Sequence, residues 1–236
     1  MAKHKQRVSK KEQEGKETVE FFKDLDKEAL QTERFLEKNA KLLSIIFVGL
    51  IAVVLGYFAY QQFVVEPKNE NATKAYLAAS NKMQEGKMDE ALGGKSAANP
   101  GFLGTYKDNG GTDAGKLAAY NAGLIRFKEG KYKEAYDLLD KFKSDNDILM
   151  AMKYGAMADS QANLNKPEDA LSLMNKAASA SDDPYTSYYF TRKAGILALA
   201  LKKNSEAKKY FSTIDEKFKE YDNGMSDAYI EMVKYY

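Results

Sequence analysis

The chain reads as an all-α protein, a single transmembrane helix joined to an α-solenoid of helix pairs. Two observations carry that reading. From Leu42 to Val65 runs an uncharged apolar segment, LLSIIFVGLIAVVLGYFAYQQFVV, in a chain otherwise rich in Lys, Glu and Asp. Behind it, one short pattern of small and apolar residues recurs four times at spacings of about 40 residues, the signature of a stacked repeat architecture.

The apolar segment comes first in the chain. At about 1.5 Å per residue a helix of this length reaches roughly 36 Å, enough to cross a hydrocarbon core of about 30 Å with some tilt. It divides the chain into a charged, largely helical arm (1–41), a transmembrane helix (42–65) and a larger domain (66–236). A cleaved signal would need a shorter apolar core and a small-residue cleavage site. Here the trailing end carries Tyr57, Phe58 and Tyr60 instead, which suits an interfacial aromatic belt. Lys27, Arg34, Lys38 and Lys41 precede the span and Lys68, Lys74 and Lys82 follow it. The arm's further lysines tip the balance toward a cytoplasmic N-terminus, with 66–236 on the other side of the membrane. Gly49, Ala52 and Gly56 place small residues along the span, a pattern that favours packing against another membrane helix.

In the arm, Phe22, Leu25, Ala29 and Leu36 form a narrow apolar stripe, widened by Phe21 and Phe35. Two readings stay open: a face that docks on a partner or on the inner membrane surface, or a solvated charged helix.

Charge and chemistry narrow the function. The net charge is +2. The even balance of acids and bases in 66–236 lacks the concentrated basic face that nucleic acid requires. There is no Cys, and the only His is His4 in the arm, so cysteine nucleophiles, cysteine zinc sites and His-based triads are excluded from the domain. Gly93-Gly94 and Gly110-Gly111 stand in no phosphate-binding pattern. Asp182-Asp183 precedes Pro184 and reads as a turn and helix start. The expectation is no enzyme, no cofactor and no metal.

The repeat organises 66–236. GLIRFKEGKYKEAYDLLDKF, Gly123 to Phe142, reads as helix, tight turn, helix. Ala122-Gly123 lies in its first helix, Gly130 ends that helix, and Ala135 opens the second, followed by Leu139. The same order recurs with Ala78-Ala79 before Ala91, Met157-Ala158 before Ala170 and Met174, and Ala194-Gly195 before Ala207 and Phe211. In each, the second small residue precedes the later Ala by 12 positions. Small residues there let two helices cross closely. The steps Ala91, Ala135, Ala170 and Ala207 are 44, 35 and 37 residues. The longer first step holds a glycine-rich insert, 93–115, expected to be a broken helix plus a loop, either a binding element or a tolerated surface loop. Residues 225–236, with Ser226 or Asp227 as N-cap, are expected to form a C-terminal capping helix.

These units resemble the tetratricopeptide-repeat family. The A-x-x-x-F pattern is complete at Ala207 to Phe211, while the family's usual tryptophan is absent. With a leading arm and one uncleaved span, the architecture over about 40–236 is similar to YfgM-type bacterial membrane proteins. The block NPGFLGTYKDNGGTDAGKLAAYNAGLIRFKEGKYKEAYDLLDKF (Asn99 to Phe142) is similar to Bacteroidetes-type members. The resemblance implies a single-pass protein of the bacterial inner membrane with its C-terminal domain periplasmic. It also implies an ancillary subunit of the SecYEG translocon, partnered by PpiD-like periplasmic chaperones and exported polypeptides. The long charged arm departs from that pattern.

In this family the first helices of the units line a concave face. Tyr120, Tyr154, Tyr188 and Tyr189 fall on or near those helices, and Tyr couples a large apolar contact to a polar handle. Asn121 and Arg126 are polar residues on a first helix that could grip a peptide backbone. The same tyrosines also suit core or capping positions, and both readings stand. The alternative function is a scaffold subunit of another envelope complex, in outer-membrane protein assembly, cell-wall synthesis or motility.

Overall fold

A computed structural model describes residues 35–236, together with Lys23 and Glu33. The stripe expected on Phe21, Phe22, Leu25 and Ala29 lies outside the described residues. The chain divides into two units, Met1–Val64 and Val65–Tyr236. Among the described residues the protein is all-helical, its one β-type contact being an isolated bridge between Ser96 and Asn99.

In the first unit α1 (35–60) carries the apolar segment, and a π-helical turn, Gln61–Val65, follows it. The helical run Phe35–Gln84 contains one stretch long and apolar enough to cross a membrane, with a mean hydropathy of 2.6 and none of it buried. Ile45, Phe47, Val53 and Phe63 are all exposed. An aqueous surface of that kind is unfavourable, at about 25 cal/mol per Å² of apolar area, whereas a lipid surface is not. Among the described residues, nothing beyond the helix's own neighbouring backbone comes within 4 Å of where a Cβ would sit on Gly49 or Gly56, so both present a small face on the helix surface.

The second unit begins with α2 (Glu66–Gln84), α3 (Met88–Gly93) and α4 (Gly101–Asn109). Three helix pairs follow: α5 (Asp113–Lys128) with α6 (Tyr132–Lys141), α7 (Asp147–Asn163) with α8 (Pro167–Ala178), and α9 (Pro184–Ala200) with α10 (Asn204–Lys217). Short α11 (Lys219–Asp222) and α12 (Asp227–Val233) close the unit. Each helix from α5 to α10 packs on its chain neighbours.

One turn geometry repeats at α2–α3, α5–α6, α7–α8 and α9–α10. Gly86, Gly130, Asn165 and Lys202 take left-handed φ of 77°, 77°, 59° and 58°. Each is followed by a lysine whose N–H donates back to the carbonyl five residues earlier: Lys87 to Lys82, Lys131 to Arg126, Lys166 to Gln161 and Lys203 to Ala198, at 2.9–3.0 Å. A left-handed residue reverses the chain while still satisfying the orphan carbonyls at the helix end. Pro167 then starts α8 at no hydrogen-bonding cost.

The small residues sit where the two helices of a pair meet. Ala79, Ala91, Ala135, Ala158, Ala170 and Ala207 have no exposed surface. A Cβ on Gly123 would lie 2.8 Å from Leu139 Cγ and one on Gly195 3.0 Å from the Phe211 ring, while between successive pairs one on Gly155 of α7 would collide with the Phe190 ring of α9. The buried residues form two clusters. Phe102, Leu92, Ala118, Ala122 and Ile125 serve α2–α5, and a larger set from Leu139 to Val233 serves the later helices.

Within the insert, 93–115, the helix breaks after α3, 94–100 form a loop, and α4 follows, seating Phe102, fully buried, in the first cluster. The insert's glycines mark close backbone approach. Gly94 and Gly101, at φ of 64° and 70°, lie so close that a Cβ on either would strike the other's backbone, and a Cβ on Gly115 would strike Asn109. At the C-terminus the expected capping helix is α12, shorter than 225–236. Ser226 occupies its N-cap position without a side-chain cap bond, its hydroxyl turning to the buried Asp222 instead.

Candidate functional site

A concavity of about 600 Å³ in the second unit opens between the start of α5, the loop after α6 and the first turns of α7. Helix chemistry sets its walls. Thr112 caps α5 by accepting from the Gly115 N–H at 3.1 Å, and Asn146 caps α7 by accepting from the Leu149 N–H at 2.9 Å. The loop between them, Lys143 to Asn146, is short and polar, and Phe142 is buried at its base. Leu117, Leu149 and Met150 supply apolar wall, while Asp113, Lys116, Lys143 and Asp145 bring charge. Lys116 pairs with Asp113 at 2.9 Å.

Lys153 lines this groove and is only 5% exposed. Its ammonium donates to the carbonyls of Phe142, at 2.8 Å, and Asp140, at 3.1 Å, and so satisfies the end of α6. Burial holds its pKa below the ordinary lysine value, with Asp140 acting against that shift and Lys143 reinforcing it. The Tyr154 ring centre stands 5.5 Å from the ammonium, near enough for a cation–π attraction.

Tyr154 is the one candidate partner residue that lies in this groove, and it is half-buried against the core. Tyr120 stacks its ring 5.0 Å from that of Phe142, and burial raises its pKa. Asn121 donates to the Tyr76 hydroxyl at 3.0 Å and ties α5 to α2. Arg126 pairs with Glu129 at 2.7 Å and Glu134 at 3.0 Å, clamping the α5–α6 turn. Tyr188 is 2% exposed and donates to Asp222, so the structure puts it in the core rather than on an accessible face. Tyr189 is exposed, edge-on to Phe190, with the Lys193 ammonium 5.8 Å from its ring. The six residues are therefore distributed over different contacts, not gathered at one site.

Spacing gave Lys153 a register but not its burial. The residue stands five positions before Ala158, as Ala118 stands five before Gly123 and Phe190 five before Gly195. On α5 and α9 that position is buried core, and only on α2 does it reach water, as Lys74 paired with Glu70. Lysine thus fills this register in two of the four units, and only the fold separates the buried Lys153 from the exposed Lys74.

Other polar contacts join neighbouring helices. Asp147 accepts from the Ser181 hydroxyl at 3.0 Å and the Asp182 N–H at 3.2 Å, bonds that hold its pKa below the usual carboxylate range. Asp183 caps α9 through the Thr186 N–H at 2.7 Å. Lys193 bridges α9 to α7 at Asp159, 2.8 Å away. Among the described residues no group of three or more His, Cys, Asp or Glu side chains converges as a metal site would require. No protein-family model, curated protein or solved structure matches the chain.

Proposed function

We propose that this chain is a membrane-anchored protein–protein interaction module and not an enzyme. In this reading α1 is a single-pass anchor in a bacterial inner membrane, with the N-terminus cytoplasmic and the helical domain periplasmic. The domain is a tetratricopeptide-like array. It serves as an accessory subunit of the Sec translocon, helping exported polypeptides pass to PpiD-like periplasmic chaperones.

The observation that carries the proposal is the four-fold recurrence of one helix–turn–helix geometry, at Gly86, Gly130, Asn165 and Lys202, in a chain that also holds an exposed apolar helix. Stacked helix pairs build extended surfaces for other proteins, since each pair buries only what its neighbours cover. An exposed helix of that length supports tethering in lipid. The absence of Cys and the single His, located in the arm, leave the domain without the usual nucleophile–base pairs.

The test is photo-crosslinking from the domain in intact cells, combined with protease digestion of spheroplasts. The expected result is capture of translocon or chaperone subunits and digestion of 66–236 from outside. Capture of only outer-membrane assembly, cell-wall synthesis or motility proteins would instead assign the chain to another envelope complex. Protection of the domain in spheroplasts would reverse the topology.

A further inference from the structure

We infer that the Asn223–Gly224 peptide is a spontaneous modification site, where deamidation through a cyclic imide loosens the C-terminal cap of the helical domain. This goes beyond the interaction-module reading and does not depend on it.

The tripeptide Asp-Asn-Gly occurs twice, at 108–110 and 222–224, so one local chemistry meets two environments. An Asn side chain can close on the backbone nitrogen that follows it, and glycine, having no Cβ, crowds that nitrogen least. Closure requires the peptide group between the two residues to swing toward the Asn Cγ. At Asn109 that group is pinned. Its carbonyl accepts from the Thr112 N–H at 2.9 Å and from the Thr112 hydroxyl at 2.8 Å, and the Gly115 backbone packs against it.

At Asn223 the corresponding carbonyl accepts no backbone hydrogen bond, and the Gly224 N–H donates none, among the described residues. Both residues are exposed. They form the centre of a turn closed by the Met225 N–H on the Asp222 carbonyl at 2.9 Å, with left-handed φ of 48° and 77°. A turn of that kind favours Asn-Gly on conformational grounds alone, and the reactive pair comes with it. The Asn223 side-chain amide is held only by a long contact, 3.5 Å, to the Tyr221 carbonyl.

In the reaction the Gly224 nitrogen loses its proton to solvent base and bonds to Asn223 Cγ, the Cγ–Nδ2 bond breaks, and ammonia leaves. Water then opens the imide at Cγ, leaving Asp, or at the backbone carbonyl carbon, leaving isoaspartate. In isoaspartate the main chain runs through Cβ and Cγ, which lengthens it between Asp222 and Ser226. The spacing of those two residues sets the bonds of the buried Asp222 carboxylate to the Ser226 N–H and hydroxyl, while Tyr188 donates to the same acid. These bonds seat α12, where Tyr229 stacks 5.2 Å from the Phe211 ring and Val233 is buried. Their loss uncovers the end of a stacked array, the place where such an array needs a cap.

The test incubates the full-length protein in nanodiscs in mildly alkaline buffer. Both sites are followed by peptide mapping, with isoaspartyl methyltransferase labelling to detect isoaspartate. We expect Asn223 to convert about tenfold faster than Asn109, the scale of the hydrogen bonds that pin the Asn109 peptide. In denaturant the two rates are expected to converge, since the tripeptides are identical. Asn223→Gly keeps a left-handed turn and removes the reactive amide. Amide hydrogen exchange in α11 and α12 should therefore quicken in aged wild-type protein and not in the aged variant. Equal rates in the folded protein overturn the inference, as does a ratio that persists in denaturant. Conversion at Asn223 with unchanged exchange in α11 and α12 overturns the loosening of the cap.

Discussion

Tyr188 donates its hydroxyl to Asp222 at 3.0 Å, joining α9 to α11 across 34 residues of chain. The same carboxylate accepts from the Ser226 N–H at 2.8 Å and from its hydroxyl, so one buried acid holds the C-terminal helices against the last pair. Burial, then the hydrogen bond to Asp222 and the charge of that carboxylate, push the Tyr188 pKa up to about 12. An unfolded tyrosine ionises near 10. Between those values the unfolded chain releases a proton that the folded chain keeps, so stability present below pH 10 falls as pH rises toward 12. Tyr188→Phe should lower stability by about 1 kcal/mol at pH 7 and flatten part of that alkaline decline. Thermal unfolding across pH, followed by circular dichroism, measures both effects.

Lys202 holds a left-handed φ of 58° in a turn where Gly86 and Gly130 fill the matching places. A side chain in that conformation costs about 1 kcal/mol relative to glycine. Lys202→Gly is expected to stabilise the protein by about that amount, and Gly130→Ala to destabilise it by about as much. Denaturant midpoints for the two variants should move in opposite directions.

Gly155 on α7 meets the Phe190 ring on α9 so closely that no Cβ fits between them. Gly155→Ala should cost about 1–3 kcal/mol by overpacking. Phe190→Leu vacates ring volume at the same place, so the double variant should be more stable than the two separate losses predict. A double-mutant cycle of unfolding free energies reads that coupling directly.

Phe102 is fully buried in the smaller cluster, on the helix α4 inside the glycine-rich insert. Phe102→Ala should cost about 3–5 kcal/mol, a loss that a surface-loop residue would not produce. Hydrogen exchange should then rise across α3 and α4 before it rises in α9 and α10, because the two clusters are separate.

The helix pairs were legible because their signals are short-range. Gly123 with Ala135, Ala158 with Ala170 and Gly195 with Ala207 share one 12-residue spacing, and all six residues are buried in the fold. The Gly94 and Gly101 contact was not legible, since flexibility and close packing both select glycine and only the partner backbone tells them apart. Tyr188 and Tyr189 make the same point about the candidate site. They are adjacent in sequence and alike in chemistry, yet one is buried on Asp222 and the other is exposed. Lys153 falls between the two cases, because its spacing from Ala158 is local but its groove is not.

By itself the sequence determined an uncharged helix long enough to cross a membrane and four helix pairs behind it, because helix periodicity, small-residue spacing and charge act within a turn or two of chain. Only the tertiary structure decided that the glycine-rich insert packs Phe102 into the core, that Tyr188 is sealed in, and that Lys153 is a buried cation beside a groove. Those outcomes depend on which distant residue comes to lie opposite, a matter of packing between helices that no local pattern encodes.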